Sequence, residues 1–144
     1  MANVQYAKGL EGVVAAESEI CRIDGENGRL YYLGYPIEEL AEQCTFEEVV
    51  YLLLYGDLPG QGQLDAFSER MRRSRDVPDA VLEMVRSFPQ DSHPMELLQA
   101  VVSYLSAYVT HKIPHDAYCN CRTTLHQIAQ LSTVVAALHR FREG

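Results

Sequence analysis

A chain of 144 residues is long enough to bury one ordinary core, and short for an enzyme that encloses its own cleft between two domains. With 47% hydrophobic and 22% charged residues it has the composition of a soluble globular protein, and it contains no run of about 18 apolar residues able to span a bilayer. Twenty acidic residues against 12 basic ones give a net charge of -8, a field that repels phosphate backbones and argues against nucleic acid as a partner.

The N-terminal stretch Met1-Ala-Asn-Val-Gln-Tyr-Ala-Lys8 lacks the charged region and apolar run of a secretory signal, so a cytoplasmic location is expected. Four cysteines, Cys21, Cys44, Cys119 and Cys121, are too sparse for a disulfide scaffold and are expected to be reduced.

The first 35 residues read differently from the rest. Ser18-Glu-Ile-Cys-Arg-Ile23 and Arg29-Leu-Tyr-Tyr-Leu33 flank Asp24-Gly-Glu-Asn-Gly28, whose Asp-Gly and Asn-Gly pairs offer the positive φ that a hairpin turn uses. A hairpin over about residues 18–33 is predicted, resting on the helices that follow or on another subunit, because two strands alone are marginal in water.

From residue 36 onward the pattern is helical. Pro36 opens a short helix through about Gln43. Thr45-Phe-Glu-Glu48 is a capping box that starts a second helix with Phe46, Val49, Val50, Leu52, Leu53 and Leu54, an apolar surface wide enough to lie between neighbours. Gly56 stops it, with Pro59 behind. A third helix, about Gln61 to Ser74, has Leu64, Phe67 and Met71 on one side and reads as a surface helix. A fourth, from Pro78 to the stop at Pro89, turns Val81, Met84 and Val85 inward and looks equally peripheral.

His93-Pro94 begins a fifth helix through about Val109, with Met95, Leu98, Val101, Val102 and Leu105 as its apolar face. The last helix, about Cys121 to Arg142, presents Leu125, Ile128, Leu131, Val134, Val135 and Leu138. No internal repeat or sustained heptad pattern is present.

Several groups of residues could carry chemistry. His111, His115, Cys119, Cys121 and His126 fall within sixteen residues and include the ligand types zinc prefers. Their spacing argues against a closed site, because Cys-x-Cys in extended chain points its side chains apart, and a polar connector is the plainer reading. Cys121, at the start of the last helix with His126 beyond it, only weakly meets the conditions for a low-pKa nucleophile. His93 precedes a helix-opening proline, where a cap or packing role is more usual than acid–base work. Arg70-Met-Arg72-Arg73-Ser-Arg75 reads as a basic last turn complementing the helix dipole rather than as an anion site. Tyr55-Gly-Asp-Leu-Pro-Gly60 follows no strand and is a helix stop, not a phosphate loop. No residue is assigned a catalytic, cofactor-binding or metal-binding role.

Gly9-Leu-Glu-Gly-Val-Val-Ala-Ala-Glu-Ser18 resembles the opening segment of citrate synthases. The resemblance continues through the Asp-Gly turn, through Gly34-Tyr-Pro-Ile-Glu-Glu-Leu-Ala41 and through Phe46-Glu-Glu-Val-Val-Tyr-Leu-Leu-Leu-Tyr-Gly-Asp-Leu-Pro59. Further on, His93-Pro-Met-Glu-Leu-Leu98 and Thr133-Val-Val-Ala-Ala-Leu-His-Arg140 are similar to two of the family's helix segments. The sequence departs from the pattern at Leu33, where many members have arginine, at Ser132, where many have proline, and over the His111 to Cys121 connector, which leaves metal binding there open.

The resemblance implies a mainly α fold: the N-terminal portion of the family's large multi-helical domain, with a small β-hairpin, as a single domain over 1–144. It implies a part of an enzyme that joins acetyl-CoA to oxaloacetate, giving citrate and CoA; these are substrates of the full enzyme, and no cofactor is expected in this chain. In the family one histidine and an aspartate enolise the thioester, a second histidine polarises the ketone, and water releases CoA. Those residues lie downstream in the family, and no histidine here sits in a matching motif, so the chain alone is expected to be inactive. A methylcitrate synthase, a citryl-CoA lyase, or a naturally short scaffold that binds a partner would read similarly. Family and pattern together predict a homodimer through helices at about 94–109 and 121–142, with Leu98, Val102, Leu131 and Val135 in the contact.

Overall fold

The computed structural model describes residues 17–108 and 117–144, for 117–123 the backbone alone. Six helices and one small sheet make it mainly α, as expected, and the chain divides into two compact units, Met1–Gly60 and Gln61–Gly144.

In the first unit, β1 (Cys21–Asp24) and β2 (Arg29–Tyr32) form the predicted antiparallel hairpin, with Asp24 opposite Arg29 and Cys21 opposite Tyr32. The Asp24 carboxylate closes the turn by accepting from the Asn27 backbone N–H at 3.1 Å and from its side-chain amide at 2.9 Å. Of the two glycines there, only Gly28 uses a positive φ, 64°.

A third strand was not foreseen in the sequence. Tyr35–Pro36 forms β3 against β2, pairing Tyr31 with Pro36 and Tyr32 with Tyr35. Leu33 at φ 48° and Gly34 at φ 92° make the two-residue turn between them, the left-handed pair that suits a tight hairpin. Pro36 therefore ends an edge strand, where its missing N–H costs no ladder bond, and stands just before α1 (Ile37–Gln43) instead of opening it. The helix packs on β2 and β3 and buries Leu40, so the hairpin rests on the helix that follows it.

The capping box at α2 (Phe46–Tyr55) is present in full: Glu48 accepts from the Thr45 N–H at 2.7 Å, and the Thr45 hydroxyl accepts from the Glu48 N–H at 3.3 Å. Gly56, at φ 93°, ends the helix by donating to the Leu52 carbonyl. Val50 and Leu52 are buried and Leu53 and Leu54 half-buried, but Phe46 is exposed, so the apolar surface is covered only in part.

The second unit is built from α3 (Gln61–Arg73), α4 (Asp79–Ser87), α5 (Pro94–Ser106) and α6 (Ala117–Glu143). Its core gathers Val81, Val85, Leu97, Val101, Leu105, Val134 and Leu138. The short α4, read as peripheral, is central: Val81 and Val85 are buried between α5 and α6, both of which it contacts. Few apolar residues suffice there because Val81, Met84 and Val85 all pack into the one cluster.

Helix ends differ from the sequence reading as well. α5 stops at Ser106, and α6 begins at Ala117, so Cys119 and Cys121 lie on helical, not extended, backbone. Side chains of α6 tie down the two connectors beside it. Gln130 donates to the Asp76 carbonyl at 2.7 Å, Thr133 to that of Arg75 at 3.1 Å, and Arg142 to that of Ser92 at 2.7 Å, giving loop carbonyls the partners that no ladder supplies.

Candidate functional site

His93 acts as a cap. Its Nδ1 accepts from the Met95 N–H at 3.2 Å, while the Glu96 carboxylate accepts from the His93 N–H at 3.2 Å, closing a reciprocal box ahead of Pro94. The imidazole nitrogen that a general base would use is engaged with the helix.

The basic stretch closes α3 as its charge pattern suggested. Glu69 accepts from Arg72 at 2.8 Å and from Arg73 at 2.6 Å, and the Arg70 guanidinium lies 5.4 Å from the centre of the Phe67 ring. Hydrogen bonds from Arg72 and then Arg73 hold the Glu69 carboxyl down at about 2. The Arg72 and Arg73 guanidinium groups thus pair with Glu69 on the same helix.

Cys21 and Cys44 are free, half-buried thiols. Burial, with the Glu48 carboxylate nearby, pushes the Cys44 thiol up, away from a nucleophile's range. In the Tyr55 to Gly60 turn, Gly56 stops α2, as the sequence predicts. Among the described residues no three His, Cys, Asp or Glu side chains gather as a metal site, and no helix is long and apolar enough to cross a membrane. His111 and His115, with the side chains of Cys119 and Cys121, lie outside the described residues; His126 is half-buried on α6.

What remains is a pair of outward apolar stripes. On α5 the buried positions are Leu97, Val101 and Leu105, one turn apart. Beside them runs a second series, Met95, Leu98 and Val102, in which Met95 is 60% and Val102 37% exposed and Leu98 is half-buried. The apolar face read from the sequence merged the two and missed Leu97, the most buried residue of the helix along with Val101. α6 repeats the arrangement. Leu125, Ala129, Val134 and Leu138 are buried, whereas Ile128, Leu131 and Val135 follow the same three-then-four spacing as Met95, Leu98 and Val102, with Val135 49% exposed. Tyr104, exposed on α5, and Tyr108, exposed in the turn after it, meet edge to face at 5.7 Å. Apolar series of this kind, left open along the two helices with the longest apolar patterns, suit a contact with another surface.

The family model described as "Citrate synthase, C-terminal domain" matches residues 9–144. The chain belongs to the citrate synthase family. It is 43% identical to the citrate synthase of Haloferax volcanii over 97% of its own length and 38% of the relative's. It is 37% identical to 2-methylcitrate synthase 1 of Corynebacterium glutamicum over 100% of its length and 38% of that protein. Among solved structures, the citrate synthase of Thermoplasma acidophilum in ternary complex with carboxymethyl coenzyme A and oxaloacetate superposes with a TM-score of 0.87 at 28% identity, over 96% of this chain and 36% of that one. The chain thus spans little more than a third of the length of the relatives it matches. The citrate synthase family is an acyltransferase family.

Proposed function

We propose that this chain is the N-terminal portion of the large domain of a citrate synthase, and that it supplies scaffold and subunit contact but no catalytic residue. The observation that carries the reading is the disproportion of coverage, 97% of this chain against 38% of the Haloferax volcanii enzyme, at 43% identity. The complete enzyme would condense acetyl-CoA with oxaloacetate in the cytoplasm, with the enolising and polarising groups supplied from the remaining length. The capping of the helix by His93 is consistent with this, since Nδ1 of that candidate base is occupied by the Met95 N–H. Purified chain given acetyl-CoA and oxaloacetate should release no CoA, while the chain extended through the family's downstream segments should release it. Release by the 144-residue chain alone would overturn the assignment.

The match to a 2-methylcitrate synthase at 37% identity favours a second reading of the substrate, propionyl-CoA in place of acetyl-CoA. A steady-state comparison of the two thioesters on the extended enzyme decides between them.

The outward stripes of α5 and α6 are the proposed dimer contact, brought together with their copies by a two-fold axis. Val102→Asp or Val135→Asp would bury an unpaired charge in that contact and should give monomer or aggregate. Sedimentation of the unmodified chain showing monomer alone at micromolar concentration would refute the contact for this chain.

A further inference from the structure

The net charge is unevenly placed. Up to Gly60, 11 carboxylates stand against three basic residues, whereas from Gln61 onward nine stand against nine, so the whole of the -8 belongs to the first unit.

Within that unit the local arrangement adds to the repulsion. Glu38, Glu39 and Glu42 are all exposed on the seven-residue α1, and Glu38 and Glu42 are one turn apart on the same side, a like-charge pairing that weakens a helix. Glu42 also lies near the negative end of the helix dipole, and neither α1 nor α2 has a basic residue in its last turn. Glu48 is satisfied by Thr45, a polar but neutral partner that leaves its charge in place, whereas Asp24, bonded to Asn27, also has Arg22 nearby and Arg29 opposite it. Against this stands a thin core: Leu40, Val50 and Leu52 are the buried apolar side chains among the unit's described residues. The second unit differs on each count. Arginines occupy the last turns of α3, α4 and α6, Glu69 and Glu83 are paired with arginines, and seven buried residues form one cluster.

We propose that the first unit is a salt-dependent fold, loosened by its own charge at low ionic strength and tightened by screening cations, while the second unit is indifferent to salt. Screening is the physical lever, since the Debye length falls from about 10 Å at 0.1 M to about 3 Å at 1 M, shorter than the spacing of most surface charges.

Amide hydrogen exchange of the 144-residue chain, at low and at molar potassium chloride, reads the two units separately. Between about 0.05 and 1 M salt, the amides of Leu40, Val50 and Leu52 should exchange about tenfold more slowly, and those of Val81 and Val101 should change by less than about twofold. A general salting-out of apolar surface would slow both units alike, and that result overturns the proposal. A Glu38→Gln, Glu42→Gln double variant should slow exchange in the first unit at low salt and flatten its response. An unchanged slope in the double variant overturns the proposal as well.

Discussion

Replacing Leu97 by alanine tests which of the two apolar series on α5 holds the second unit together. Leu97 is fully buried in the cluster with Val81, Val85, Val101 and Val134, whereas Met95, two residues earlier, is 60% exposed. Leu97→Ala removes three carbons, each worth about 0.8 kcal/mol of transfer free energy, or about 2.4 kcal/mol in all. The cavity left behind adds to that, so a loss of about 3 kcal/mol is expected. With a urea slope of about 2 kcal/mol per molar, the unfolding midpoint should fall by about 1.5 M. Met95→Ala should move it by less than about 0.25 M, the effect of an exposed site contributing under about 0.5 kcal/mol. Helical circular dichroism in a urea titration, repeated across a hundredfold range of protein concentration, separates packing within the chain from packing between copies. The Leu97 effect should be independent of concentration, and any Met95 effect should shrink with dilution as the copies separate. Equal shifts for the two variants, or a larger one for Met95→Ala at all concentrations, would refute the assignment of the inward face.

Thr45→Ala removes the hydroxyl that caps α2 and should cost about 1 kcal/mol, measured as a drop in the unfolding midpoint. Gly56→Ala places a side chain at φ 93° where nothing lies within 4 Å, so its cost of about 1–2 kcal/mol is conformational, and Gly56→Asn should recover part of it. Arg142→Ala deletes the bonds to the Ser92 carbonyl at 2.7 Å and hydroxyl at 3.2 Å and should destabilise by about 1–2 kcal/mol; equal stability would show the clamp to be idle. Because the Glu69 carboxyl is depressed from 4.5 to about 2 in the folded chain, its contribution is fully present above about pH 4.5 and is lost as pH falls toward 2. A carboxyl NMR titration should show that depressed midpoint, and Glu69→Gln should remove this part of the acid dependence.

What could be read from the sequence is what depends on neighbours within a few positions. The Thr45/Glu48 box, the Gly56 stop, the Asn27-Gly28 turn, the His93 cap and the basic end of α3 each appear where the residue types require them, because each satisfies backbone groups of its own segment. Family membership was legible on the same footing, through contiguous motifs such as Gly34 to Ala41 and His93 to Leu98, and the match over residues 9–144 bears it out. Tertiary structure decided the rest. It chose Leu97 over Met95 as the inward residue of α5, drew α4 into the core, added β3 beyond the hairpin, and joined Arg142 to Ser92 across 50 positions. An apolar periodicity marks which side of a helix can be buried, but two stripes 100° apart satisfy it equally well, and only the surface that arrives from elsewhere in the chain determines which of them loses its water.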